Sequence, residues 1–203
     1  MNILTEKLPE KIKVNNIEFD INTDFRAGIT FELLIQKGEE DIEKLLTPFF
    51  PNGIKEEYIK DVLQAAELFY CCGKLPETKN EVPSKNKAQG YCFEKDANII
   101  FADFLNFYGI NLNIVSLHWW AFRSLLEGLP EKSEFKQRIY YRTVDTKGMS
   151  KNEKQRIAKY RKAIEIKTVE KHNKLTLKER NEHMKNYVIR RSLESQRGEL
   201  NNG

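Results

Sequence analysis

The sequence predicts a mainly α-helical protein: a helical domain with a short N-terminal β-hairpin and a basic helical C-terminal extension. Three observations predict it. Apolar residues recur at helical spacing through most of the 203 residues. Capping residues and glycines bracket those stretches. One segment near the start, "KIKVNNIEFDI", alternates apolar and charged residues about a pair of asparagines instead.

That segment reads as a hairpin. Asn15-Asn16 tolerate the positive φ of a tight two-residue turn. Pairing Val14 with Ile17 sets Ile12 opposite Phe19 on one face, and Lys13 against Glu18 and Lys11 against Asp20 on the other. Apolar and charge patterns therefore specify one register. A lone hairpin is marginal in water, so it should lie on the helices that follow.

"NTDFRAGITFELLIQKG" opens with capping residues and closes at Gly38, one helix. An acidic helix over 39–46 stops before "TPFFPNG". Over 55–71, Tyr58, Val62, Ala65, Ala66 and Phe69 form a stripe that Gly73 terminates. A polar stretch, 73–90, contains two prolines and reads as a long loop. In "FEKDANIIFADFLNFYGI", Ala97, Ile100, Phe101, Phe104, Leu105 and Tyr108 share one face, the strongest core stripe in the chain, and Gly109 ends it.

A helix over 113–127 follows. Val115, Trp119, Phe122, Leu126 and Leu129 line its core stripe, so Trp119 reads as core. Trp120 lies about 100° round the helix, beside Ser116, Arg123, Ser124 and Glu127. Three explanations for its ring stay open: packing in a second internal layer, stacking on Arg123, or anchoring a protein interface. "EFKQRIYYRTVD" predicts another helix. Ser150 with Glu153 forms a capping box before "KNEKQRIAKYRKAIEI", where Ile157, Tyr160 and Ile164 make a thin stripe. A last helix, over 176–196, carries Leu177, Met184, Tyr187 and Val188. The expected organisation is a helical body over 1–148 and a basic arm over 149–203.

Composition bounds the function. From residue 151 onward there are 15 Lys/Arg and 7 Asp/Glu, leaving 19 basic and 23 acidic residues for the remainder. A basic arm thus follows an acidic-leaning body. No apolar run reaches the roughly 18–20 residues of a membrane span. The start, "MNILTEKLPEKIKV", lacks the pattern of a secretory signal, which predicts the cytoplasm. Cys71, Cys72 and Cys92 match neither a zinc spacing nor an easy disulfide and read as buried thiols. "CCGKL" is no phosphate loop, because Leu68 and Leu75 stand where glycine and Ser/Thr are needed. His118, His172 and His183 form no metal pair, and His118 reads as a hydrogen-bonded helix residue. Acidic residues read as solvated helix faces. The expectation is a protein that is not an enzyme and needs no cofactor, metal or catalytic residue.

The stretches "INTDFRAGITFELLI", "ELFYCCGK", "YCFEKDANIIFADFLNFYGINL" and above all "LHWWAFRSLLEGLP" resemble, in order from about Asn2 to Ile166, the bacteriophage gene-product-fifteen family. Such proteins are encoded in the tail gene clusters of long-tailed phages and prophages. The resemblance implies a non-enzymatic tail assembly chaperone in the host bacterial cytoplasm, binding the tape-measure protein or tail-tube subunits. It supplies no catalytic or binding residues and does not extend past Ile166. The alternatives are a structural component retained in the particle and a nucleic-acid-binding module using the basic arm; self-association is a further possibility. The residues expected to contact a protein partner are Trp120, Arg123, Ile157, Tyr160, Ile164, Met184 and Tyr187.

Overall fold

The computed structural model describes residues 2–74 and 90–166. These fall into two compact units, divided between Leu75 and Pro76. The division lies inside the stretch read as a polar loop, and residues 149–166 belong to the second unit.

In the first unit, β1 (Lys11–Val14) and β2 (Ile17–Asp20) form the expected antiparallel hairpin, with Lys11↔Asp20, Ile12↔Phe19, Lys13↔Glu18 and Val14↔Ile17 in register. Asn15 and Asn16 both take positive φ, 50° and 65°, as the tight turn requires. Ile12 and Val14 are buried. Lys11 reaches both acids of β2, Glu18 at 3.5 Å and Asp20 at 3.6 Å. The hairpin packs through β1 on helix α3 (Ile59–Tyr70), and Asn15 Nδ2 donates to Asp61 at 2.8 Å.

Helix α1 (Phe25–Gln36) is capped by Asp24, whose carboxylate accepts from the Arg26 amide, and gives way to Gly38 at φ 76°. Helix α2 spans Ile42–Leu46, shorter than expected. The Asp41 side chain accepts from the amides of Glu43 and Lys44, so the helix starts where that cap sits. A 3-10 turn, Glu56–Tyr58, leads into α3. Phe31, Phe49 and Phe69 form an aromatic centre, with ring centroids 5.1 and 5.7 Å apart in sequence along the cluster.

The second unit holds α4 (Phe93–Tyr108), α5 (Trp119–Glu127), α6 (Glu134–Thr143) and α7 (Lys151–Ala163). Its aromatic centre stacks Phe122 between Phe104 at 5.2 Å and Trp119 at 5.9 Å. Helix α5 starts at Trp119 and not near residue 113. The Asn111 side chain accepts from the Asn113 amide and folds that segment into a turn, while His118 Nδ1 accepts from the Trp120 amide as the N-cap. Side chains that bond nearby amides compete with helix and favour its ends.

Helix α7 begins with the predicted capping box between Ser150 and Glu153. It packs on α6, burying Ile157 and Ile164. Arg161 adds polar contacts by donating to the carbonyls of Tyr141 and Val144 at 2.9 Å each, a favourable use of a cation at the end of α6. The helix expected to open a separate arm is therefore built into this unit. The predicted helix over 176–196 lies outside the described residues.

Replacing Ile157 by Ala should destabilise the second unit by about 2–5 kcal/mol, the usual cost of emptying a buried aliphatic site. Both tryptophans, Trp119 and Trp120, lie in this unit, so urea unfolding followed by tryptophan fluorescence reads that loss directly. A change within about 0.5 kcal/mol, as for a surface substitution, would mean that α7 contributes little to the unit.

Candidate functional site

Apolar spacing predicts the core of α4 on Ala97, Ile100, Phe101, Phe104, Leu105 and Tyr108. The buried face is rotated from that, to Phe93, Asp96, Ile100, Asp103 and Phe104. Both aspartates are expected on solvated faces. They are instead the polar centre of the unit.

Asp96 is fully buried, and Arg142 nearly so. Arg142 grips the carboxylate with both terminal nitrogens, at 2.6 and 2.9 Å. The Cys92 amide donates to Asp96 at 3.0 Å, and Arg138 at 3.3 Å. Arg142 also donates to the carbonyls of Gly90 at 3.0 Å and Ile164 at 2.9 Å. Burial pushes the Asp96 carboxyl up, but the Arg142 bonds, the Cys92 amide and Arg138 outweigh it and hold it below its ordinary value. Asp103 accepts from the Phe135 amide at 2.8 Å, a carboxylate at the positive end of α6.

This arrangement joins three helices and is saturated with internal partners. Its chemistry is structural: a buried pair with good geometry specifies one packing, and removing one partner strands a charge. A readable signal existed. Asp96 and Asp103 are seven residues apart on the same face as Ile100 and Phe104, and Arg138 and Arg142 are four apart on α6, so each helix presents matched charges at helical spacing.

The expected partner-contacting residues divide into three groups. Trp120 is only 9% exposed, and its ring meets His118 edge-on at 6.0 Å; of its three explanations, this is internal packing. Ile157 and Ile164 are likewise buried. None of the three offers a free apolar surface. Arg123 stacks over Trp119 at 5.7 Å and not over Trp120, because Trp119 is its neighbour one turn back. It also donates to the Tyr91 hydroxyl at 2.8 Å and to Glu127 at 3.0 Å. Tyr160 is 44% exposed. Met184 and Tyr187 lie outside the described residues.

Two exposed surfaces stand out in the second unit. On α4, Ala97, Phe101 and Leu105 follow one another at i, i+4 and i+8; Ala97 is exposed, Phe101 half-buried and Leu105 45% exposed. Two of the six residues expected in the core, Ala97 and Leu105, are thus uncovered. On α6 and α7, Tyr141 meets Tyr160 at 4.5 Å and Tyr140 at 5.4 Å. Arg156 and Lys136 stand one turn before Tyr160 and Tyr140. Cys71 and Cys72 are half-buried, and Cys92 is buried. Among the described residues, no helix is long and apolar enough to cross a membrane, and no group of three or more His, Cys, Asp or Glu could hold a metal ion.

The fold and these surfaces define a small helix-dominated protein with an N-terminal hairpin and an ion-paired second unit. A family model described as Bacteriophage Gp15 protein matches residues 4–166, and the chain belongs to that family. No curated protein and no solved structure matches it.

Arg142→Met should cost about 3–5 kcal/mol, the range for a broken buried ion pair, and Asp96→Leu in the same chain should recover part of that loss. Because the Asp96 carboxyl is lowered in the folded state, its contribution is complete above the unfolded Asp pKa of about 3.9. It is lost as pH falls through the lower folded value. Urea midpoints measured from pH 7 down to pH 2 should fall less steeply below about pH 4 for Asp96→Asn than for the parent. Parallel curves would assign the acid sensitivity to other carboxylates.

Proposed function

We propose that this bacteriophage family member is a non-enzymatic tail assembly chaperone, acting in the host bacterial cytoplasm on a helical tail protein. The tape-measure protein, or failing that a tail-tube subunit, is the expected client. The reading is supported by family membership over residues 4–166 and by the resemblance of its motifs to proteins of tail gene clusters. The observation that carries it is the partly exposed stripe of Ala97, Phe101 and Leu105 on a helix of 16 residues.

An apolar stripe at i, i+4 and i+8 is the surface against which an amphipathic helix docks, its own apolar face turned inward. A long helical client waiting for its tube exposes such faces and is prone to aggregate. A chaperone that lends it a helix needs shape and apolar contact, and no reacting group or cofactor.

Co-expression with the neighbouring tail proteins, followed by pull-down, tests this. The parent chain should hold the tape-measure protein in the soluble fraction. Leu105→Asp should release it, leaving the chain's own melting temperature nearly unchanged because Leu105 is already exposed. Mass spectrometry of purified particles should find the client and not this chain. Its presence in mature particles would instead make it a structural tail component.

A further inference from the structure

Helix α7 carries six Lys/Arg and one Asp/Glu over Lys151–Ala163. The one acid, Glu153, accepts from the Ser150 amide at 2.9 Å and from its hydroxyl at 2.7 Å. Arg161 is engaged with the carbonyls of Tyr141 and Val144. The other five, Lys151, Lys154, Arg156, Lys159 and Lys162, are exposed. Among the described residues of this unit, ion pairs are made by Arg123, Arg138 and Arg142, and none by a cation of α7.

These cations run beside an aromatic edge. At about 100° per residue, Tyr160 sits at the margin of the face that buries Ile157 and Ile164. Arg156, Lys159 and Lys162 continue round the helix on that same side, within about 160° of the ring. Tyr160 meets Tyr141 across on α6 at 4.5 Å, and Tyr141 meets Tyr140 at 5.4 Å. The outer two rings are open to solvent, Tyr140 at 51% and Tyr160 at 44%. From Lys151 to Lys162 the helix rises roughly 16 Å, the length of about five stacked nucleotides at roughly 3.4 Å each.

The chemistry of the surface selects among partners. The core of a protein interface is depleted of charged residues, lysine above all, whereas here lysines and an arginine border the rings. A single strand uses both features: its phosphates release counterions to clustered cations, and its unstacked bases lie on aromatic faces. We propose that the tyrosine cluster of α6 and α7, with the cations of α7, binds single-stranded nucleic acid, bases on Tyr140 and Tyr160 and phosphates on Arg156, Lys159 and Lys162. Such contacts read rings and phosphates and not the 2′-hydroxyl that separates RNA from DNA, so the ligand is a single strand of either sugar. The site lies within the second unit and does not use the α4 stripe, so it stands apart from the chaperone reading.

Fluorescence anisotropy of the full chain with an end-labelled DNA single strand of about 20 nucleotides tests the proposal. At about 50 mM salt the parent should bind it, and log affinity should fall linearly with log salt concentration. Tyr140→Ala with Tyr160→Ala should weaken binding about tenfold or more and leave that slope unchanged, because stacking carries no charge. Should that pair lose helix by circular dichroism, Tyr140→Leu with Tyr160→Leu takes its place, keeping an apolar side chain while removing the ring. Lys159→Gln with Lys162→Gln should lower the slope by about two. Heparin, a polyanion without bases, should bind the folded tyrosine variant as tightly as the parent. A parent that ignores the strand at low salt overturns the proposal. So does a folded tyrosine variant that binds DNA like the parent or loses heparin equally, or a lysine variant with the parent's slope. A polyglutamate peptide held as tightly as the strand overturns it too, and assigns the face to an acidic protein.

Discussion

The guanidinium of Arg142 lies buried in the second unit, and each of its three nitrogens donates to a named acceptor: Asp96 on α4, the Gly90 carbonyl before it, and the Ile164 carbonyl after α7. Desolvating two charges is expensive, and the cost is offset only where the geometry is good and the remaining polar groups are satisfied. Both conditions are met, with Cys92 and Arg138 completing the carboxylate's shell. The rotation of α4 follows from this constraint. A helix whose buried face must include Asp96 and Asp103 turns Ala97 and Leu105 outward, leaving an apolar stripe at the surface. The uncovered surface and the polar core are two results of one choice of face.

In the first unit the same economy is reached with local devices. Asp24 and Asp41 cap two helices with their own carboxylates, and Lys11 bridges the acids of β2. These contacts are exposed or nearly so, and surface ion pairs contribute little to stability individually. They select register and helix starts, while Phe31, Phe49 and Phe69 supply the buried area. The unit therefore depends on aromatic packing, and the second adds a buried charge pair to its own.

How much of this was legible follows from where each signal resides. Hairpin register was legible because a period of two leaves one register that buries Ile12 and Val14 while facing lysines with acids. The Ser150–Glu153 box was legible because its cause is local. The start of α5 was not, since apolar spacing continues through Asn113 and Val115 while the bonds that stop the helix come from the Asn111 and His118 side chains. Trp120 was legible only as a choice: its helical angle sets it off the main stripe, and burial depends on neighbours that spacing does not name. Asp96 and Asp103 were misread because a carboxylate on an amphipathic helix is usually solvated, and only the matching arginines on α6 reverse that expectation. Tyr160 was grouped with Ile157 and Ile164, although it lies toward the edge of the buried face and remains exposed.

Arg142 also has a topological consequence. Gly90 stands three residues before α4 and Ile164 directly after α7, and both carbonyls accept from the same side chain. The chain before α4 and the chain after α7 therefore lie within the reach of one guanidinium. Chain ends held side by side are the geometry that tolerates circular permutation and insertion into a host loop. A bridge of a few residues from the end of α7 to the start of α4 would therefore close the four helices into a ring, and new termini could be opened at the Gly148 turn between α6 and α7.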